Sequence, residues 1–307
     1  MATTLAPADV NHVDNTRMPG WRRRWFTATG WRHVVGFLAI IFALFPVWMV
    51  LIAAFSESGS LSGQTLVPES ITTRQYSALV ADYPFWRWLV NSLIVSTVVA
   101  FGTVMLASLA AYAFSRLRFR GRRAGLYSLL LIQMFPVSLA FVAIYIMVDQ
   151  FDDTYPGIGS GTLFALVLFY LGGALGANAW LIKGFFDTIP RDLDESAQMD
   201  GATHNQTFFK IILPLALPVL AIIFLLAFIS AQAEFLIASV IMFGEDVSSS
   251  KLTVAVGLNG LLAADRYDLN WGPFAMGALI AAIPVVLLFQ FLQRYIVGGI
   301  MAGAVKG

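Results

Sequence analysis

Six long blocks of apolar residues restrict the fold of this chain more than any other feature of its sequence. They lie at 34–55, 89–114, 124–148 and 162–182, from about 213 onwards, and at 273–295. A helix needs about 20 predominantly apolar residues to cross the hydrocarbon core of a bilayer. The composition agrees, because 58% of the residues are hydrophobic and 12% are charged, whereas soluble domains carry about 25% charged residues. We predict an all-α integral membrane protein with about six transmembrane helices.

Prolines and glycines inside the blocks predict local irregularities. Four prolines lie within the spans: Pro46, Pro136, Pro218 and Pro284. Each removes a backbone donor, and because neighbouring helices can satisfy the freed carbonyl in a membrane bundle, we predict kinks there. Pro214 falls in the first turn of the fifth span, where its missing N–H is harmless. The glycine-rich stretch 172–176 predicts a small face for close contact between helices.

The distribution of basic residues predicts the orientation of the chain. The N-terminal segment 1–33, the connections 115–123 and 183–212, and the C-terminus together hold 15 of the 19 Lys and Arg residues. Positive residues are retained on the cytoplasmic side, so we place these segments and both termini in the cytoplasm. The first block follows an arginine-rich start, as in a signal peptide. It is longer than the usual apolar region of roughly 7–15 residues, so we predict a retained span.

The connection between the fourth and fifth blocks has the features of a surface helix. Asp192 or Asp194 can cap a helix that begins beside Glu195, where the helix dipole favours acidic side chains. Gly201 can end that helix, because glycine tolerates a positive φ. The next turn carries four apolar residues at near-helical spacing: Phe208, Phe209, Ile211 and Ile212. A helix–glycine–helix unit with exposed apolar side chains suits docking into the groove of a partner.

The same stretch resembles the EAA signature of permease subunits in bacterial ATP-driven importers. The matching positions are Glu195, Ser196, Ala197, Gly201, Ala202, Ile211, Leu213 and Pro214. Every spacing fits, and the one departure is Ser196 in place of the first alanine. The resemblance implies a type I ABC-importer permease fold in which 184–212 is a coupling segment seated in a cleft of the ATPase. Glu195 would pair with the ATPase surface, and an ordinary amphipathic loop is the alternative interpretation.

The likeness extends to the smaller permease subunit of maltose-type importers. It is carried by the tail 293–307, by 252–257 and by 270–275. The resemblance implies that the glycine-rich tail 297–307 reaches the ATPase dimer interface, through Gly303, Lys306 and Gly307. Glycines leave a slender, flexible strand that is compatible with this role, and a disordered terminus is the alternative.

The resemblance also assigns a role to the outer loop at about 258–268, between the fifth and sixth spans. In maltose-type importers this loop rises into the sugar cleft of the docked binding protein. The residues that could compete there for sugar hydroxyls are Asn259, Asp265, Arg266 and Tyr267. A merely solvated loop is an equally good interpretation for any one of them.

Polar residues within the spans are candidates for a transport pathway. Glu234 is the only carboxylate within an apolar run, and it lies near the outer interface. A gate or an interhelix hydrogen bond is as compatible with this position as simple interfacial exposure. Four further polar residues, for which a bond to a neighbouring helix is the more frequent role, are Asn91, Gln133, Asn178 and Gln290.

Enzymatic functions fit the sequence badly, and we predict no catalytic residues. A phosphate-binding P-loop needs glycine immediately before its lysine, and none of the four lysines has one. The three histidines, His12, His33 and His204, lack zinc spacing, and cysteine is absent. We therefore predict no metal site and no cofactor in this chain, with ATP and Mg bound by a partner ATPase.

We predict a permease subunit in the bacterial cell membrane that imports an oligosaccharide or disaccharide of the maltose, maltodextrin or trehalose type by alternating access. Its permease domain would span 34–296. The expected partners are a second homologous permease, an ATPase dimer, an extracytoplasmic binding protein, the sugar and the bilayer, but no nucleic acid. Another solute, such as a polyol or glycerol phosphate, is an alternative. A self-sufficient ion-driven carrier is a second alternative, but it should show ionisable residues near the midplane, and this sequence places none there convincingly. A non-transporting scaffold is a third alternative, and the EAA spacing argues against it.

Overall fold

The computed structural model describes residues 30–57, 59, 67, 70–155, 158–242, 249–263 and 271–304, with the backbone alone for 297–304. Within these residues the chain forms helices joined by turns, and no β-strand. The first seven helices are α1 (Trp31–Phe55), α2 (Arg74–Asp82), α3 (Phe85–Arg116), α4 (Arg122–Gln133), α5 (Phe141–Thr154), α6 (Leu163–Gly172) and α7 (Gly176–Thr188). The others are α8 (Asp192–Met199), α9 (His204–Thr207), α10 (Leu213–Leu215), α11 (Leu217–Ala233), α12 (Leu236–Ile241), α13 (Val254–Ala263) and α14 (Trp271–Ala304).

The chain separates into two units after Val50. The described part of the first unit is the beginning of α1, and nearly all of its side chains are exposed, with Phe42 at 83%. A helix that is apolar on every side is typical of a membrane span. The second unit begins at Leu51 and contains the remaining helices.

The prediction of an all-α membrane protein is confirmed. Within the described residues, α1, α3 and the 271–296 part of α14 are each long and apolar enough to cross a bilayer. Two bent pairs also pass this test, namely α6 with α7 at 55° and residues 204–215 with α11 at 79°. Length and composition thus support three to five spans. The third predicted span is not one helix, because α4 ends at Gln133 and α5 begins only at Phe141.

The prolines explain two departures from the predicted helices. The fifth block is not one straight helix from Leu213, because the chain turns at Ala216 between Pro214 and Pro218. Neither proline has an N–H to donate, so a continuous helix would lose two hydrogen bonds here. Pro218 therefore lies in the first turn of α11 and not inside a span. Pro136 falls in the break after α4.

Two glycine-based predictions need correction. The stretch 172–176 is the break between α6 and α7, and within it Gly176 makes the predicted close contact, since a Cβ there would clash with Gln133 of α4. The tail is not an extended strand over 297–304, because α14 continues to Ala304. A glycine costs a helix only about 1 kcal/mol, so isolated glycines do not end a helix of 34 residues. Lys306 and Gly307 lie outside the described residues.

The helix α3 is the centre of the second unit and packs against α6, α7, α11 and α13. Its first half joins a buried cluster with α5, α6 and α12: Val95, Val99, Ile144, Val148, Ala165, Leu166, Ala238, Ile241 and Met242. Its second half joins another with α7 and the residues from 208 to 223: Ala107, Ala111, Tyr112, Ala179, Ile182, Phe186, Ile189, Phe208, Ile212, Ala216, Leu220 and Ile223. One helix therefore organises both ends of the bundle.

Close contact between α13 and α3 predicts the effect of adding a methyl group. A Cβ at Gly257 would lie 2.3 Å from the buried indole ring of Trp88, so Gly257→Ala should destabilise the protein by about 1–3 kcal/mol through overpacking. Gly260 on the same helix has nothing within 4 Å of this position. Gly260→Ala should be neutral or stabilising by up to about 1 kcal/mol. Thermal unfolding of the purified protein in detergent tests both, and an equal response of the two variants would contradict the prediction.

Candidate functional site

The predicted surface helix is present as α8, but its N-terminus is built differently from the prediction. Asp192, Asp194 and Glu195 all lie in its first turn, where the helix dipole favours negative charge. The N-cap position is Arg191, and no side chain caps the helix there. The prediction that Asp192 or Asp194 is the capping residue is therefore wrong. Asp194 instead turns inward, where it is buried.

Gly201 ends α8, as predicted. Its φ is +81°, a value that side chains with a Cβ rarely adopt. The backbone N–H of Ala202 donates to the carbonyl of Ala197 at 2.9 Å, and the N–H of Gly201 donates to the carbonyl of Gln198 at 3.0 Å. This pair of bonds is the Schellman arrangement, which satisfies the last carbonyls of a helix.

The chain resumes as a helix immediately after this turn. Thr203 caps α9 through a reciprocal capping box, in which the N–H of Gln206 donates to the Thr203 hydroxyl and the N–H of Thr203 donates to the Gln206 amide oxygen. The Thr-x-x-Gln spacing is visible in the sequence and was a missed signal. A π-helical turn over Phe208–Ile212 follows. Phe208 and Ile212 are buried while Phe209 is 47% exposed, so the predicted amphipathic turn is confirmed.

The helix α8 has one buried and one exposed face. Asp194 and Ala197, three residues apart, are buried. Glu195 and Ser196 are exposed, and two large apolar side chains are exposed with them, Leu193 at 40% and Met199 at 89%. The side chains of Glu195, Ser196 and Met199 lie on the side of α8 away from Asp194 and Ala197, because residues three and four apart share one face of a helix, and we call them the exposed α8 face.

A buried ion pair ties α8 to the end of α3. The Nε atom of Arg116 lies 3.0 Å from an Asp194 carboxylate oxygen, and the two side chains are only 7% and 12% exposed. Arg116 also donates from Nη2 to the carbonyl of Ile189 at 2.9 Å. Its guanidinium thus contacts the chain just before α8 and again in the first turn of α8. Within the described residues the Asp194 oxygens accept no hydrogen bond, so Arg116 supplies the charge that makes burial of this carboxylate tolerable.

The same end of α3 is attached to the flanking residues. The Ser115 hydroxyl donates to Asp187 at 2.6 Å, and Asp187 also forms an ion pair with Lys183. Arg122 donates to the last carbonyls of α3, a favourable position for a cation at a helix C-terminus. On the other side of α8, the Tyr112 hydroxyl donates to the carbonyl of His204 at 3.4 Å. Tyr112 and Arg116 are one turn apart on α3, so one face of that helix holds the chain both before and after α8.

Glu234 takes part in an interhelix hydrogen bond. The residue lies between α11 and α12, and its carboxylate accepts bonds from the N–H groups of Ile237 at 2.8 Å and Ala238 at 2.9 Å. The hydroxyl of Tyr170 on α6 donates to the same carboxylate. Of the alternatives left open by the sequence, the interhelix bond is the one that the geometry supports over simple exposure. A gating role stays a prediction.

The other predicted residues have mixed outcomes. Asn91 donates to the carbonyls of Ser250 and Leu252, and Gln133 accepts from the N–H of Ala177, so both bond neighbouring elements as predicted. Asn178 donates to the carbonyl of Ala174 in the break before α7, and Gln290 accepts from Gln293 of its own helix, so neither bonds a neighbouring helix. Asn259 is exposed on α13, so the predicted outer loop is helical up to residue 263. Asp265, Arg266 and Tyr267 lie outside the described residues.

Among the described residues, no three His, Asp or Glu side chains are placed to hold a metal ion.

The family described as "Binding-protein-dependent transport system inner membrane component" matches residues 103–301, a range that includes α8, Gly201 and Glu234. The chain belongs to this family. The permease protein MalG of the maltose/maltodextrin transport system from Yersinia pestis is 39% identical over 284 residues, covering 88% of this chain and 90% of the relative. MalG from Escherichia coli K12 is 38% identical over 288 residues, covering 90% and 95%.

The fold of this inner membrane component recurs in a solved bacterial ABC transporter. One chain of a transporter involved in alginate import superposes with a TM-score of 0.70 at 21% identity, covering 89% of this chain and 98% of that one. A chain of the alginate transporter in complex with an alginate pentasaccharide-bound periplasmic protein gives 0.61 at 15% identity, covering 88% and 96%. This likeness confirms the predicted permease fold.

Removal of the Glu234 carboxylate should destabilise this inner membrane component. Glu234→Ala leaves two N–H groups of α12 and the Tyr170 hydroxyl without their acceptor, at a cost of about 1–3 kcal/mol. Tyr170→Phe removes one bond and should cost about 0.5–1.5 kcal/mol, and the double variant should be no worse than Glu234→Ala. Tyr145→Phe is the control, because Tyr145 is 47% exposed. Additive losses in thermal unfolding would argue against a shared interaction.

Gly201 should be required for its backbone conformation rather than for space. A Cβ there would meet nothing within 4 Å, so the cost of Gly201→Ala is that of a positive φ, about 1–3 kcal/mol. Gly184 on α7 also has open space around it, and Gly184→Ala should be neutral or slightly stabilising. Thermal unfolding measures both variants. A neutral Gly201→Ala would show that the turn after α8 can form without a left-handed residue.

Proposed function

We propose that this chain is a pore-forming subunit of an ATP-driven importer for a disaccharide or oligosaccharide of the maltose type. The sugar class is supported by relatives that are named maltose/maltodextrin permeases and match about nine-tenths of the chain. The observation that carries the coupling role is the exposed α8 face, held out from the bundle on a segment that α3 anchors on both sides. The chain would form the pore with a second homologous permease.

The exposed α8 face has the chemistry of a docking surface for an ATPase subunit. Met199 is nearly fully exposed, and burying such a side chain against a partner groove contributes roughly 25 cal/mol per Å². Methionine adapts its shape to an irregular groove. Glu195, one turn before Met199 on the same face, favours a basic group on the partner by charge complementarity. The coupling segment 184–212 would thus seat α8 in an ATPase cleft, with Ala202 allowing close approach, whereas the buried Ala197 lets α8 lie close to the bundle.

Charge supports a cytoplasmic position for the α8 end of the bundle. Arg116, Arg122, Lys183 and Arg191 all lie at this end, and basic residues are retained on the cytoplasmic side of a membrane. Both termini would then be cytoplasmic as well. The ATPase pair, which supplies the ATP and Mg sites, closes on this side and moves α8, while a solute-loaded binding protein docks on the other. The pore then alternates its access between the two sides.

Three further roles belong to the same proposal. Residues Gly303, Lys306 and Gly307 of the tail would reach the ATPase interface. The outer segment would approach the binding protein through Asn259, Asp265, Arg266 and Tyr267. Glu234 would act as a gate, because it joins α6 to the break between α11 and α12, a position where movement of one helix requires movement of the other.

Substitution within the exposed α8 face tests the function. Met199→Asp places a charge in the proposed apolar contact and should reduce co-purification of the ATPase and ATP-dependent maltose uptake at least about tenfold, which corresponds to a loss of about 1.4 kcal/mol in binding. Gln198→Asp is the control, since it introduces the same charge at an exposed position of α8 outside this face and should leave both nearly unchanged. Full ATPase recovery and uptake with Met199→Asp would exclude this docking surface. Uptake of a polyol or glycerol phosphate in place of maltose would contradict the assignment of a sugar substrate but not the docking surface on α8.

A further inference from the structure

The helix α3 differs from the other helices that reach the α8 end of the bundle. It runs for 32 residues without an internal proline or break, a length of about 48 Å at 1.5 Å per residue. The pair α6–α7 is bent by 55°, and the chain from α9 to α11 is bent by 79°. An unbroken helix transmits a displacement along its axis, whereas a bent pair can absorb it by flexing at the break.

Polar bonds fix both ends of α3 to other segments. At one end, Arg116 holds α8 through Asp194 and the carbonyl of Ile189. At the other end, Trp88 donates from its indole to the carbonyl of Ser249 at 2.6 Å, and Asn91 donates to the carbonyls of Ser250 and Leu252, each at 3.0 Å. The Ser92 hydroxyl accepts from the N–H of Val254, the first residue of α13, at 2.8 Å.

Bonds of this kind hold register in a way that apolar contacts do not. Apolar surfaces can slide past each other at little cost, because one contact replaces another. A buried donor or charge that slides away from its partner is left unsatisfied, which is costly in a medium of low dielectric. Trp88 and Ser92 are 3% and 2% exposed, and the Arg116 side chain is 7% exposed. A shift of α8 or of α13 must therefore move α3 with it.

We propose that α3 is a rigid lever that couples movement of α8 to movement of the α13 segment, with Arg116 and Asn91 as its joints. The proposal rests on the proposed function, in which α8 meets the ATPase and the segment beyond α13 meets the binding protein. Arg116 and Asn91 are positioning residues in this scheme, since they act through α8 and α13. Docking of the loaded binding protein thereby moves α3, and with it the position of α8 at the ATPase.

The test uses the complete transporter, purified with its second permease and ATPase and placed in lipid nanodiscs. ATPase activity is measured alone and with maltose-loaded binding protein. The lever predicts that Arg116→Lys, which keeps a cation beside Asp194, and Asn91→Ala both assemble and keep the basal rate, and that both lose at least about tenfold of the stimulation. Asn91 lies 25 positions from Arg116 in the sequence, so a merely local role in holding α8 would not make Asn91→Ala lose stimulation.

Matched controls separate coupling from charge and from packing. Arg123→Lys makes the same exchange at an exposed position in the first turn of α4, and Val90→Ala shortens an exposed side chain beside Asn91. Both should be stimulated like the wild type. Arg116→Lys keeps the cation near Asp194 while changing the contact with Ile189, and Asn91→Ala tests the other joint.

Wild-type stimulation in Asn91→Ala overturns the lever, whatever Arg116 does. A loss of assembly in Asn91→Ala also overturns it, because the residue would then serve the fold and not the coupling. A wild-type chain that recovers no ATPase, or whose ATPase does not respond to the binding protein, overturns the proposed function itself. That outcome can be told apart from the two outcomes for Asn91→Ala, because in those the binding protein still stimulates the ATPase of the wild-type transporter.

Discussion

Backbone N–H and C=O groups inside a bilayer have no water to bond, and polar side chains meet this constraint at three helix starts among the described residues. The helix α12 begins on the carboxylate of Glu234, which accepts from two of its N–H groups. The helix α7 begins beside Gln133, whose amide oxygen accepts from Ala177. The helix α6 begins on the hydroxyl of Thr162, which accepts from Ala165 at 3.2 Å. Polar side chains in the apolar blocks thus take the place of solvent at helix ends.

This role changes the meaning of a polar residue within a span. Glu234 draws attention as a pathway residue because charge in an apolar run is costly. Its oxygens are already engaged by α12 and Tyr170, so the first function of its charge is to hold two helices and a turn together. Any role in transport has to act through that arrangement. Within the described residues, the bundle therefore combines two long helices, α3 and α14, with neighbours that are interrupted by breaks.

The sequence predicted well where helices lie, which depends on composition, and poorly whether each apolar block forms one continuous helix. The apolar blocks mark where helices lie, since burial in lipid depends on composition alone. Gly201 was predictable because a positive φ after a short helix selects glycine locally. The irregularities at Pro136 and Pro218 were predicted as kinks, but their form as breaks was not, because the residues on either side are equally apolar and proline permits a kink or an end.

The anchors of α8 were also beyond prediction. The pairing of Arg116 with Asp194 joins residues 78 positions apart, and the sequence contains 19 basic residues from which to choose. Asp194 looked like a capping residue because acidic side chains at a helix start usually bond locally. Asp194 pairs with the distant Arg116 because its carboxylate faces the bundle and requires a counter-charge once it is buried. The capping box at Thr203, by contrast, is a local pattern that the Thr-x-x-Gln spacing could have predicted.

The short length of α6 has a consequence for how the chain enters the membrane. Ten residues of helix extend about 15 Å, half of a hydrocarbon core about 30 Å thick. The backbone turns at Gly173, and just beyond the turn the N–H of Ala177 donates to the amide oxygen of Gln133 from the preceding block. The fourth block is therefore a poor candidate for release into lipid on its own during synthesis. We expect it to remain beside the third block at the insertion machinery until both can enter the bilayer as a pair.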